Sequence, residues 1–307
     1  MSLSIWFIGS SFLIVYFLRK RNLVQTLIFL FLIIFSYPSI FILATGNIEA
    51  WIGFLLILSS IFAYYGKWNS FAVCIGFAGA IKGVPLIFIL LPLFIKKQSG
   101  IVIAIKTLTF SFMVSVFSLI VLPKGYLANG SSGFTSVFWE IWSAQATYRA
   151  HMENSISGVN YGHSLLNAVH ALFGLQTLPT YTWGPVIFCI LFVVLLICLY
   201  LQRVARVKIW LIYLSISVFA CLALPTSTDY KLIYLAAPLL LAAKSDLSSK
   251  YEKLLLVLLV FTMSPKPYLY VGENPFSNAS VFLTSASLLI IMVVCYLHAI
   301  NSKLRQS

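Results

Sequence analysis

The sequence has few charged residues, and acidic residues are the scarcest among them. Charged side chains make up 9% of the 307 residues, with seven Asp and Glu against 20 Lys and Arg. Soluble domains carry about 25% charged residues, so the composition excludes a water-soluble globular chain. Hydrophobic residues make up 61%, in apolar runs long enough to cross a bilayer. We therefore predict an all-α polytopic membrane protein, with residues 1–307 forming a single integral membrane domain.

Sequence motifs for metal, cofactor or nucleotide chemistry are also missing. The five cysteines all lie inside apolar runs without CxxC or zinc-type spacing, which indicates buried small hydrophobic residues. No phosphate-binding loop or nucleophilic serine motif occurs, so we expect no metal and no cofactor. The net charge of +13 does not indicate nucleic acid, because the basic residues sit in short loops beside apolar runs, where they set topology and meet anionic lipid.

The basic clusters predict the membrane topology. Arg19–Arg21 follow the first apolar run, Leu3–Leu18, which has no basic region before it. That pattern differs from a cleavable signal peptide and predicts an anchor with its N-terminus outside, or a chain that begins partway through a longer protein. Applied throughout, the positive-inside rule predicts about ten membrane segments in the plasma membrane, with the C-terminus inside. Residues 123–181 are predicted to be external, with interfacial helices.

One cation interrupts the apolar stretch Gly76–Lys97. Lys82 lies between Phe71–Ile81 and Pro85–Ile95, each about half of the roughly 20 residues that a crossing needs. Gly83 and Pro85 disfavour a continuous helix, and a hairpin would keep both flanking basic clusters inside. We therefore predict a broken-helix hairpin that places Lys82 in a polar cavity facing an anionic group. The alternative is a kinked helix whose Lys82 snorkels or pairs with a carboxylate.

A membrane-resident phosphate fits such a cavity, and its ligands would come from the external side. Lys82 and Lys231 could neutralise its charge, and hydroxyl groups near Lys231 could donate to its oxygens. Asp229 or Glu49 could accept a proton from an acceptor hydroxyl, although the sequence around Asp229 also resembles a plain helix cap. External aromatic side chains could stack on a sugar or anchor at the interface. In addition, Ser227 and Tyr230 are predicted to bind the phosphate of the donor. Trp139 and His163 are predicted to bind the sugar or the acceptor.

Four blocks in the same order resemble the motif series of glycosyltransferase family 87. They extend over about two-thirds of the chain and read SYPSIFILATGNIEA, GFAGAIKGVPLIFILLPLF, NYGHSLLNAVHALFG and LALPTSTDYKLIYLAAPLL. The resemblance implies a GT-C-like helical bundle. It also implies inverting transfer of a hexose such as mannose, from a polyprenyl-phosphate sugar to a lipid-linked or polysaccharide acceptor of the cell envelope, at the outer face. The residues matching the blocks are Gly46, Asn47, Glu49, Lys82, Pro85, Asn160, Ser164, Ser227, Asp229 and Tyr230. Of these, the resemblance implies that Asn47, Asn160 and Ser164 bind the sugar or the acceptor.

The chain departs from the GT-C pattern at its start. GT-C enzymes usually carry their acidic catalytic residue in the first external loop, but no acidic residue precedes Glu49. We therefore expect the opening helix and the catalytic loop to be missing. Two alternatives to a transferase stay open: a transporter or flippase of an anionic or lipid-linked solute, and an inactive truncated remnant.

Overall fold

Helices account for the regular structure of the chain. The computed structural model describes residues 5–45, 48–121, 143, 147, 164–173, 180–223, 229–264 and 279–305, and these ranges contain helices and no strand. A helix satisfies its backbone hydrogen bonds internally, as an apolar segment in lipid requires. The predicted all-helical fold is confirmed.

The helices are labelled in chain order. The first half of the chain contains α1 (Ser10–Leu18, after a π-helical turn Ile5–Gly9), α2 (Leu23–Ile34), α3 (Tyr37–Thr45), α4 (Glu49–Tyr64), α5 (Trp68–Ile81), a 3-10 segment (Val84–Ile89), α6 (Leu90–Ile95) and α7 (Lys97–Val121). The second half contains α8 (Leu165–Phe173), α9 (Thr180–Val204), α10 (Ile209–Leu222), a second 3-10 segment (Asp229–Leu235), α11 (Ala236–Lys244), α12 (Lys250–Met263) and α13 (Ala279–Leu304).

Three of the described helices are long and apolar enough to cross a membrane by themselves. They contain the spans Ser99–Ser118, Trp183–Val204 and Val281–Leu304. The other apolar helices are shorter, in part because the chain breaks where proline interrupts it, as before Pro38 and Pro85. The number of about ten membrane segments stays a prediction. So does the external loop of residues 123–181, most of which lies outside the described residues, as do Trp139, Asn160 and His163.

A tight turn joins α4 to α5 and makes the two helices antiparallel neighbours. The N–H of Lys67 donates to the carbonyl of Phe62 (2.8 Å), and the N–H of Gly66 donates to that of Ala63 (3.1 Å). These two bonds form a Schellman motif, which requires a left-handed residue at its centre. Gly66 supplies it with φ of 70°, a conformation that costs glycine little.

The chain folds back after α5. Lys82 is extended (φ −156°, ψ 125°), and the 3-10 segment begins two residues later with Pro85 in its first turn. The returning arm packs closely on α5, because a Cβ at Gly79 would overlap the Leu86 side chain. The second arm of the predicted hairpin is thus a 3-10 segment continued by α6, and not one half-helix.

Basic residues from distant parts of the chain meet at one end of the bundle. Arg21 donates to the carbonyl of Lys244 (2.7 Å) and pairs with Asp246 (3.2 Å). Lys208 pairs with Glu252 (2.8 Å), which also completes a capping box at the start of α12. Three basic loops, at Arg21, at Lys208 and between Lys244 and Glu252, therefore lie side by side.

The hairpin ends at this same end of the bundle. The Phe17 ring contacts the Tyr64 ring edge-on, with centroids 5.2 Å apart, and Lys244 donates to the Phe17 carbonyl (3.1 Å). Lys96, at the end of α6, lies 5.7 Å from the centroid of Trp68, at the start of α5. We call the end that carries Arg21, Trp68, Lys96, Lys208 and Lys244 the basic end.

A second left-handed residue closes α9, and here it is not glycine. Arg206 has φ of 49°, and the N–H of Val207 donates to the carbonyl of Gln202 (3.1 Å) in the same motif as at Gly66. A left-handed conformation costs an L-residue about 1 kcal/mol or more. We expect Arg206→Gly to raise the unfolding temperature in detergent, because glycine adopts this conformation at little cost. Arg203→Gly, in the last turn of α9, should lower the unfolding temperature, because glycine inside a helix reduces the free energy of unfolding by about 1 kcal/mol. Both variants lose one positive charge, so equal shifts would contradict the prediction.

Candidate functional site

Lys82 leaves the end of α5 at the point where the helix stops. Its N–H still donates to the carbonyl of Ala78 (3.0 Å), but its extended backbone turns the chain out of the helix. The Lys82 side chain is 32% exposed to solvent. Its amine is therefore neither sealed inside the bundle nor fully in solvent, and a ligand can approach it.

Glu49 opens α4 and lies directly against this amine. The Lys82 Nζ is 2.5 Å from Glu49 Oε1, and the Glu49 side chain is completely buried. An isolated carboxylate in such a place is costly, so a partner of opposite charge is required. The ion pair that the sequence left as an alternative for Lys82 is present, and it leaves the lysine partly accessible.

The lengths of two helices bring this pair together. The 16 residues of α4 and the 14 residues of α5 run antiparallel from the turn at Gly66. At 1.5 Å per residue they extend about 24 and about 21 Å from that turn. Their far ends, which carry Glu49 and Lys82, therefore lie at one level, away from the basic end.

Lys231 adds a second cation to this level. It belongs to the second 3-10 segment, and its side chain is 3% exposed. Its amine is close enough for the charges of Lys82 and Glu49 both to act on it. This segment contacts α3, α4 and α10, so it is embedded in the bundle. Among the described side chains, two cations and one anion meet here, and this balance favours an anionic ligand.

Aromatic packing beneath the hairpin fixes its position. The Phe88 ring lies 4.7 Å from the ring centroid of Tyr213 and 6.4 Å from that of Tyr234. Tyr213 is fully buried. Its hydroxyl donates to the carbonyl of Leu56 (3.1 Å) and is within hydrogen-bond distance of Ser59 Oγ (2.9 Å). Because Phe88 is held between α10 and the second 3-10 segment, the turn with Lys82 is anchored to the element that carries Lys231.

The structure brings together three of the predicted site residues: Glu49, Lys82 and Lys231. Asp229 and Tyr230 open the 3-10 segment of Lys231, and their roles stay predictions. Asn47 and Ser227, like the three residues of the external loop named above, lie outside the described residues. Among the side chains that the structure describes, no three of His, Cys, Asp and Glu are grouped closely enough to hold a metal ion.

Ser164, predicted to bind sugar or acceptor, has the contacts of a helix cap. Its Oγ accepts from the N–H of Asn167 (3.1 Å) and lies 2.6 Å from Asn167 Oδ1, at the start of α8. Its carbonyl accepts from Ser285 Oγ of α13 (3.3 Å), and its side chain is buried. These contacts dock α8 on α13 and stabilise the bundle there.

Glu49 and Lys82 have separate predicted roles in the sequence, and their pairing with each other appears only in the structure. A signal was present, because the apolar runs on the two sides of Gly66–Lys67 have similar lengths and each ends at an ionisable residue. Lys106 is a second residue for which the sequence predictions above gave no role. It is an isolated cation inside the apolar span Ser99–Ser118, and such a residue is by default a candidate for function.

Comparison with known proteins identifies a family. The model of glycosyltransferase family 87 matches residues 1–225, which include Glu49 and Lys82 and end before Lys231. The comparisons with curated proteins and with solved structures gave no match. Apolar helices and a buried ion pair with an accessible lysine agree with a membrane glycosyltransferase, the activity that this family implies. Since the match covers most of the 307 residues, the chain belongs to glycosyltransferase family 87.

Proposed function

We propose that this protein transfers a hexose, such as mannose, from a polyprenyl-phosphate donor to a glycolipid or polysaccharide of the cell envelope, at the outer face of the plasma membrane. The observation that carries the proposal is the cluster of Glu49, Lys82 and Lys231. It combines two lysines with one carboxylate in an apolar bundle and leaves Lys82 partly exposed. A phosphate that is tethered to lipid is an anion that two lysines beside one carboxylate would bind by charge-assisted hydrogen bonds.

The depth of Lys82 supports an outer-face reaction. If the basic end lies in the cytoplasm, as the positive-inside rule favours, α5 rises about 21 Å toward the outside. The hydrocarbon core is about 30 Å thick, so Lys82 would lie in its outer part, within reach of a phosphate headgroup. The same orientation would place the N-terminus outside and the C-terminus inside, as the positive-inside rule predicts.

The reaction assigns different roles to the charged groups. The acceptor hydroxyl oxygen attacks the anomeric carbon while the bond from that carbon to the phosphate oxygen breaks, and polyprenyl phosphate leaves with the electron pair. Lys82 and Lys231 would bind the phosphate and stabilise its increasing negative charge. Ser227 and Tyr230 would add hydrogen bonds to it. Asp229 would take the hydroxyl proton, and inversion follows from attack opposite the leaving group.

Glu49 fits a positioning role better than that of a base. Its Oε1 is held against the Lys82 amine at 2.5 Å, and its side chain is fully buried. An acceptor hydroxyl would have to enter the bundle to reach it. We therefore assign it to holding Lys82 toward the donor phosphate. Asn47, Trp139, Asn160 and His163 stay proposed contacts of the sugar or acceptor.

A transfer assay tests this function. Membranes containing the full chain would be incubated with polyprenyl-phosphate mannose, glucose or galactose, labelled in the sugar, and with a cell-envelope fraction as acceptor. We expect the sugar of one of these donors to become covalently attached to envelope material. Membranes without the protein should show no such attachment. Label that crosses the bilayer while still joined to the polyprenyl phosphate would instead show a flippase. No transfer from any of the three donors would contradict the proposal.

A further inference from the structure

A groove runs along the outside of α5 and α7 at the basic end. It consists of two adjoining cavities of about 400 and about 370 Å³ that share Asn69 and Lys106. The first cavity continues along the apolar side chains of Val73, Phe110 and Met113. The second reaches Lys96 and Trp68. The groove is therefore apolar at one end and cationic at the other.

The two lysines of this groove make no salt bridge within the part of the chain that the structure describes. Lys106 donates to Asn69 Oδ1 (3.0 Å), and Lys96 lies over the Trp68 ring at 5.7 Å. The carboxylates in the described ion pairs are those of Glu49, Asp246 and Glu252, each bound to another cation. Both groove lysines are exposed, so an external anion can reach them.

The position of Lys106 makes such an anion favourable. It lies nine residues after the start of α7, or about 13 Å along the helix, inside a span that is otherwise apolar. A cation at this depth is costly unless it reaches the interface or a counter-charge. Its bond to Asn69, in the first turn of α5, turns the amine back toward Lys96 and the basic end.

We propose that this groove binds an anionic phospholipid of the leaflet at the basic end. The headgroup phosphate would lie between Lys96 and Lys106, with Asn69 beside it, and an acyl chain would follow Val73 and Met113. Charge selects the lipid, since an anionic headgroup brings a net negative charge to the two lysines, whereas a zwitterionic headgroup brings no net charge. The proposal is independent of sugar transfer, because the groove lies at the opposite end of α5 from Lys82.

Native mass spectrometry of the full-length protein in non-ionic detergent tests this site. The probes are phosphatidylglycerol and phosphatidylcholine with identical acyl chains. We expect tighter binding of phosphatidylglycerol, and roughly 30-fold weaker binding of it by Lys96→Gln/Lys106→Gln. The matched control is Lys20→Gln/Lys303→Gln, which removes the same charge from exposed positions outside the groove. It should change the affinity for phosphatidylglycerol by less than about threefold, because exposed charges contribute little.

A third variant tests the apolar part of the groove and guards against misfolding. Val73 is 41% exposed, so Val73→Trp fills the groove without changing charge and should weaken phosphatidylglycerol binding about 10-fold. The lipid-free unfolding temperature of each variant checks its fold. Equal affinity for the two lipids, an unchanged affinity in both groove variants, or displacement of the lipid by millimolar inorganic phosphate would overturn the proposal.

Discussion

Lys82→Gln is expected to lower the rate of sugar transfer by roughly 100- to 1,000-fold, the range for removing one preorganised group that stabilises negative charge in a transition state, such as an oxyanion-hole donor. Lys82 is the partly exposed cation of the cluster, so it would meet the phosphate as negative charge develops there. Lys82→Arg keeps the charge and should retain part of the rate. The measurement is the initial rate with the labelled donor that the wild-type protein uses.

The comparison must separate chemistry from folding, because Lys82 also compensates the buried Glu49. The double variant Lys82→Gln/Glu49→Gln removes both charges and should recover stability without recovering transfer. Lys303→Gln, at an exposed position of α13, serves as the control and should keep the wild-type rate. Full activity of Lys82→Gln would exclude the proposed role of this lysine in donor binding.

Glu49→Ala is expected to lower the free energy of unfolding by roughly 3–5 kcal/mol, the range for breaking a buried ion pair by removing one partner. Without the carboxylate, the positive charges of Lys82 and the buried Lys231 repel each other and lose the anion that the described residues place beside them. Glu49→Ala/Lys231→Met removes one cation as well and should recover a large part of the loss. Unfolding of the purified protein in detergent, followed by heat or denaturant, measures these differences.

An exposed ion pair provides the matched control for this experiment. Asp246 lies 3.2 Å from Arg21, but its side chain is 95% exposed. Exposed pairs contribute about 0–1 kcal/mol, so Asp246→Asn should leave stability nearly unchanged. If Glu49→Ala were as mild as Asp246→Asn, the pair with Lys82 would not hold the bundle together.

The hairpin at Lys82 was predictable because its signals are local. Gly83 and Pro85 end a helix by backbone chemistry alone, and the basic clusters at Lys67 and Lys96–Lys97 favour a return to the same side. The 3-10 form of the second arm was not predictable. It depends on how Leu86 packs against Gly79 and how Phe88 packs against Tyr213, and such contacts are between residues far apart in the sequence or across the turn.

The sequence by itself determined that this protein is a helical membrane protein of glycosyltransferase family 87, because hydrophobicity, charge and ordered motifs are properties of single residues and short segments. Only the tertiary structure decided which groups share a site. It placed Glu49 against Lys82, added Lys231, and gave Ser164 the contacts of a helix cap. The physical reason is that the pairing depends on relative helix lengths, turn geometry and packing, which no single segment contains.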